Sequence, residues 1–176
     1  SNATDAGSLL LAALDDPNPV LVLEHKLLYK QSFEVPDEFP PARLGEGRIE
    51  REGTDLTIVA TSVEVQRSVE AAEQLAADGI SVEVIDPRTI KPLDVPLILE
   101  SVSRTGRVLL VQEAPKFAGF MAEVAATIAE SEVFGDLQAP IRRLCGLDTP
   151  IPYSPKLERA SVPQVDDIVR EATALV

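Results

Sequence analysis

The chain predicts an α/β fold, a mostly parallel five-stranded sheet covered by helices on both faces. Two observations carry that expectation. Short β-branched apolar runs alternate with stretches of helical periodicity, and such strand–helix–strand units close as right-handed crossovers around a parallel sheet. Aromatic residues make up only 4% of the chain and Trp is absent, so the core must come from Val, Ile, Leu and Ala, as in parallel sheets. The 176 residues leave room for one full domain and a short appendage.

Leu9 to Leu14 is a short apolar helix candidate, broken by Asp15-Asp16-Pro17-Asn18-Pro19. Val20-Leu21-Val22-Leu23 reads as a buried strand. Residues 30–47 carry Pro36, Pro40, Pro41, two glycines and several charges, which is a linker composition. The pattern then becomes regular. Arg48 to Arg51 is a short strand, Glu52-Gly53 a turn, and Leu56 to Ala60 a β-branched strand. The tight turn between the two makes the first strand antiparallel to the others.

Helix Glu64 to Ala77 places Val65, Val69, Ala72 and Ala76 on one face, and Asp78-Gly79 stops it. Strand Val82 to Ile85 follows. Asp94 is well placed to cap a helix over Val95 to Arg104, Pro96 is tolerated in its first turn, and Gly106 closes it. Next come strand Val108 to Val111, helix Ala118 to Glu132, strand Ile141 to Leu144 and a loop through Pro150, Pro152 and Pro155. Ser161 and Pro163 signal a last helix, Gln164 to Ala174, burying Val165, Ile168, Val169 and Ala172.

The net charge is −13, from 16 basic and 29 acidic residues. Such a surface repels phosphate backbones, which argues against a nucleic-acid partner. It suits a basic protein partner, although solubility is the simpler reading. The single Cys145 excludes an internal disulfide and a cysteine zinc site, and its place after a strand-like run suggests a buried, inert thiol. No apolar run approaches the ~20 residues of a membrane span. Ser1-Asn2-Ala3 reads as the scar of a cleaved tag.

Chemistry-bearing motifs are sparse. Gly45-Glu46-Gly47 precedes no helix and lacks the third glycine of a dinucleotide loop, so it reads as a linker turn. The only histidine, His25, is of a residue type suited to acid–base work, yet no Ser or Cys nucleophile motif accompanies it. A structural or interface role fits it better. Open α/β sheets bind ligands beyond the carboxyl ends of their strands. The candidates there are Thr61 and Ser62, Asp86 and Arg88, and Glu113 and Lys116. Asp86 and Arg88 serve equally well as mutual partners or loop caps, and Glu113 as a helix cap. Catalysis is not expected of them, though a bound ion is best sought there.

Five segments in order, EHKLLY (Glu24–Tyr29), GTDLTIVA (Gly53–Ala60), GISVEVIDPRTIKPLD (Gly79–Asp94), TGRVLLVQEAP (Thr105–Pro115) and IPYSPKLERA (Ile151–Ala160), resemble one enzyme family. It is the beta subunit of thiamine-diphosphate-dependent 2-oxoacid dehydrogenases, and the likeness is to its C-terminal part. The resemblance implies a three-layer α/β/α sandwich whose first strand is antiparallel. It assigns residues 4–35 to the tail of a preceding pyrimidine-binding domain, 36–47 to a linker and 48–176 to a transketolase C-terminal-like domain. Thiamine diphosphate and magnesium would belong to the full heteromeric enzyme and not to this fragment, which would carry no catalytic residue. His25 does not match the family's catalytic histidine motif.

The partners implied are a second copy, the alpha subunit, and the basic peripheral subunit-binding domain of the lipoyl acyltransferase. The compartment implied is the cytoplasm, or the mitochondrial matrix in a eukaryote. The chain departs from the family at Thr61-Ser62-Val63-Glu64, where a glycine-containing turn is usual, and at Lys116 to Met121, where a glycine-rich run is usual. An acetoin dehydrogenase beta subunit, a split transketolase half and a stand-alone α/β binding module remain as alternatives.

Overall fold

The computed structural model describes residues 1–176. Five strands form one sheet: β1 (Arg48–Arg51), β2 (Leu56–Ala60), β3 (Val82–Asp86), β4 (Val108–Pro115) and β5 (Arg142–Gly146), in the order β1-β3-β2-β4-β5. β1 runs antiparallel to β3, and every other pairing is parallel. The register places Ile58 of β2 between Val84 of β3 and Leu109 of β4.

Alternation along the strands feeds two cores. Leu56, Ile58, Val82, Val84, Leu109 and Val111 face α2 (Val63–Ala77) and α6 (Val165–Thr173), where Val65, Ala72, Leu75 and Ile168 are buried. Val59, Ile85, Val108 and Leu110 face the other way, onto α3 (Val95–Thr105) and α4 (Phe120–Ala129), through Ile98, Val102, Met121 and Val124. The result is the expected three-layer α/β/α sandwich. Beneath α3 the second core holds a polar cluster: Thr57 Oγ1 lies 2.7 Å from both Ser101 Oγ and Thr105 Oγ1, and Glu83 bonds Ser101 and Arg104.

Local signals explain several boundaries. Asp94 accepts a hydrogen bond from Leu97 N at 3.2 Å, and Gly106 takes the left-handed conformation (φ 68°) that closes α3. The last helix begins at Val165, because Gln164 and Asp167 form a reciprocal capping box. Ser161 instead ends a helix that the proline count had concealed, α5 (Pro155–Ser161), with Pro155 in its first turn.

Other expectations need correction. Ala76 is exposed, and α2 instead buries Glu64, Ser68, Ala71 and Leu75, because it is wedged between the sheet and α6 and so needs a wider stripe. α4 starts at Phe120, since Ala118 has φ 53° and cannot continue a helix, and a 3-10 turn over Glu132–Asp136 replaces its far end. β4 runs on to Pro115. Cys145 lies inside β5 and is only half-buried.

The first 47 residues behave differently. α1 (Ala3–Asp15) is longer than the apolar run, because Asn2 accepts a hydrogen bond from Asp5 N and starts it early. Val20 to Leu23 forms neither a strand nor a buried segment: Leu21 is 92% and Leu23 79% exposed. A strand needs a neighbour for its backbone groups. The sheet ends at β1 and β5, and this segment pairs with neither.

Candidate functional site

In this sheet order β2 connects outward to β3 and β4 outward to β5, so the strand order reverses between β2 and β4. The loops beyond their carboxyl ends hold the sequence-picked residues. They do not form one site. They divide between two ionic clusters, and Thr61, Ser62 and Lys116 join neither.

The first cluster lies beyond β3. Asp5 on α1 is buried, and its two oxygens each meet a guanidinium at 2.9 Å, one from Arg48 on β1 and one from Arg88. Arg88 has φ 57°, and its backbone N–H bonds Asp86 Oδ1 at 2.8 Å. Asp86 thus caps the loop, while the Arg88 side chain reaches α1. Glu50 completes the cluster through Arg48. Asp5, Glu50 and Asp86 offer oxygens within 4.8 Å of one another, but the cations Arg48 and Arg88 already occupy that space. This donor set does not suit magnesium.

The second cluster lies at the reversal point. Glu113, at the end of β4, meets His25 Nε2 at 2.6 Å and Arg67 Nη1 at 3.5 Å. Arg67 also bonds Glu64 Oε1 at 2.6 Å and the Pro163 carbonyl at 2.9 Å. Glu64 is wholly buried in the first turn of α2, and its Oε2 has no partner. Burial pushes its carboxyl up to about 7 against the pull of Arg67, and Glu113 and Asp167 push it the same way as burial. Glu113 does not cap the following helix. Gln112 does that work, accepting from Met121 N at 2.9 Å and donating to the Pro115 carbonyl at 3.0 Å.

The remaining candidates are set apart. Ser62 has φ 59° and its hydroxyl makes no cap bond to α2. The Lys116 carbonyl accepts from Arg143 at 2.9 Å. Burial pushes the Cys145 thiol up, away from reactive thiolate character. The Gly45 and Gly47 amides already donate to Thr89 Oγ1 at 3.1 Å and Asp94 Oδ2 at 2.8 Å. A diphosphate therefore finds no free amide cradle in that turn.

Sequence reasoning missed Asp5, Glu64, Arg67 and Gln112. A glutamate and an arginine three apart at a helix start are an ordinary surface pair in sequence. Only the packing of α6 and β4 over them reveals burial.

The family model of the transketolase C-terminal domain matches residues 45–168. The mitochondrial pyruvate dehydrogenase E1 component subunit beta-1 of Arabidopsis thaliana is 46% identical over 173 residues, covering 96% of this chain and 47% of the relative. The pyruvate dehydrogenase E1 component subunit beta of Rhizobium meliloti is 42% identical over 175 residues, covering 98% of this chain and 38% of the relative. This chain thus spans about half, or less, of the length of these curated relatives. Among solved structures, a split-gene transketolase in an inactive beta4 tetramer matches with TM-score 0.67 and 27% identity, over 77% of this chain and 43% of that one. A 2-oxoglutarate:ferredoxin oxidoreductase from Magnetococcus marinus shares the fold, with TM-score 0.51 and 18% identity over 73% of this chain and 19% of that one. With a three-layer sheet, a family match over residues 45–168 and likeness along nearly its whole length, the chain belongs to the transketolase C-terminal domain family and is related to pyruvate dehydrogenase E1 beta subunits.

Proposed function

We propose that this chain is the C-terminal part of a 2-oxoacid dehydrogenase beta subunit, with pyruvate the first substrate to test. Residues 4–35 are then the end of a preceding domain, 36–47 the linker, and 48–176 a domain that pairs subunits and docks the complex. The observation that carries this reading is the unbroken likeness to pyruvate dehydrogenase beta subunits, which runs through the tail as well as the sandwich. One further fact supports it. The net charge of −13 suits the basic subunit-binding domain of a lipoyl acyltransferase.

A split transketolase half is the second reading, favoured by the structural match at 27% identity. The higher identity to the dehydrogenases over nearly the whole chain ranks it lower, and an acetoin dehydrogenase beta subunit stays within the same chemistry. The exposed Val20–Leu23 run weighs against a stand-alone binding module. No helix is long and apolar enough to cross a membrane, and the compartment follows the host, cytoplasm or mitochondrial matrix.

The test is reconstitution. The beta subunit carrying this chain is co-purified with its alpha subunit, thiamine diphosphate and magnesium, and transfer of an acyl group from pyruvate or a branched-chain 2-oxoacid to a lipoyl domain is followed. The expected result is acylation, with salt-sensitive binding of the subunit-binding domain to the 176-residue chain. Transfer to an aldose acceptor in place of the lipoyl arm would move the assignment to transketolase.

A further inference from the structure

His25, Glu113, Arg67 and Glu64 form one line of contacts joining the N-terminal segment, the end of β4 and the start of α2. Its charges do not balance. His25 Nδ1 accepts the Leu27 N–H at 3.2 Å, so the ring proton sits on Nε2 and is donated to Glu113. The imidazole is neutral in this arrangement. Arg67 is then the only cation facing two carboxylates, with Asp167 of α6 a third acid nearby. The strands against α2 bring no relief: β2 and β3 present Ile58, Ala60 and Val84, while Arg48, Glu50, Glu83 and Asp86 are held in other contacts.

The excess falls on one atom. Glu64 Oε2 is buried without a donor, and a bare ionised oxygen there is costly, whereas a protonated one is not. Ser68, one turn along the same helix, is also buried with its hydroxyl unpartnered.

We infer that Glu64 is a proton switch that sets how tightly residues 24–31 are latched to the carboxyl edge of the sheet. The sign follows from linkage. Glu64 Oε1 and Glu113 Oε1 share Arg67 Nη1 at 2.6 and 3.5 Å, so the charge of Glu113 there raises the proton affinity of Glu64, and a proton on Glu64 favours Glu113 in that place by the same amount. Glu113 so placed is the acceptor that holds His25, whose carbonyl accepts the Leu28 N–H that opens the 3-10 turn Leu28–Lys30. The latch therefore tightens as pH falls through neutrality and loosens as Glu64 ionises. It is internal to this chain.

Amide exchange of Leu27 to Gln31 in the 176-residue chain, corrected for intrinsic rates, reads the latch directly. Exchange at pH 6 is expected to be about threefold slower than at pH 8, the size of one modest hydrogen bond from a neutral imidazole to a carboxylate. Glu64→Gln holds the slow rate at both pH values, and Glu113→Gln gives the fast rate at both. A Glu64→Gln chain that keeps the wild-type pH difference overturns the inference. Should that variant not fold, carbon-13 titration of the wild-type glutamates decides: a Glu64 carboxyl changing near neutrality supports the switch, and one changing in the usual glutamate range overturns it.

Discussion

Two short valine-bearing quartets in this chain both read as strands in sequence and fare oppositely in the fold. Val82-Glu83-Val84-Ile85 is completely enclosed in the sheet, whereas Val20-Leu21-Val22-Leu23 lies in the open. β-branched composition is the same kind of signal in both. The difference is neighbours. Val82 to Ile85 has β1 on one side and β2 on the other, so its backbone finds ladder partners on both sides and both faces meet helices. Val20 to Leu23 has neither strand, and apolar side chains alone do not bury a segment. A strand is a property of a sheet, and a hydrophobic run only qualifies a segment to join one.

The sharpest test of that contrast pairs two truncations. Ile58→Ala opens a cavity between α2 and the sheet and is expected to cost about 2–5 kcal/mol. Leu21→Ala removes a side chain already in water and is expected to stay within about 0.5 kcal/mol. Urea denaturation of the two variants compares them. Equal losses would mean that residues 20–23 are packed in solution, which would erase the contrast between the quartets.

Legibility divided along the same line. The five sheet strands, the Asp94 cap and the Gly106 stop were readable because each depends on a few neighbouring residues; the antiparallel sense of the first strand was read too, although its partner, the distant β3, was not. Asp86 and Glu113 were picked out by their place at strand ends, and both do meet partners there. The partners themselves were not readable. Asp5 is 43 residues from Arg48, and Glu64 is 49 from Glu113, so only the folded layers bring them together. Glu64 in particular looks like a solvated first-turn acid until α6 covers it.

Glu64 gives the next prediction, because its burial opposes the general benefit of packing seen at Ile58. An unfolded glutamate titrates near 4.5, while folding pushes Glu64 to about 7. Between those pH values the folded chain binds more protons than the unfolded one. Stability attributable to this group therefore falls as pH rises through the window, and the loss is complete above about 7. The whole effect is of order 3 kcal/mol. Glu64→Gln should flatten that slope between pH 5 and 8 in denaturation experiments, leaving the variant more stable than wild type at pH 8. An unchanged slope would show that water reaches Oε2.

A smaller effect is expected where the open region is tied to the sheet. Asp5 joins α1 to Arg48 and Arg88, and Asp5→Asn leaves two guanidinium groups without their shared carboxylate. Arg48 is partly exposed, which screens the loss, so about 1–2 kcal/mol of α1 docking is expected to disappear. Faster amide exchange in Ala3–Asp15, with β2 to β4 unchanged, is the expected signature. Exchange that rises everywhere would make α1 part of the cooperative unit and not an appended element.

The smallest stability change belongs to the open quartet itself, and it separates folding from association. Replacing Leu21 and Leu23 together by lysine alters surface that water already covers, so the free energy of unfolding is expected to move by no more than about 0.5 kcal/mol. Association should respond much more. An exposed apolar run outside any helix or strand is a template for pairing with another strand, and charged side chains blunt such edges. Sedimentation velocity across a concentration series is therefore expected to show less self-association in the double variant at unchanged stability. If self-association persists, the contact between copies is made by the sandwich, whose exposed Leu147, Ile151 and Tyr153 beside β5 then become the residues to change.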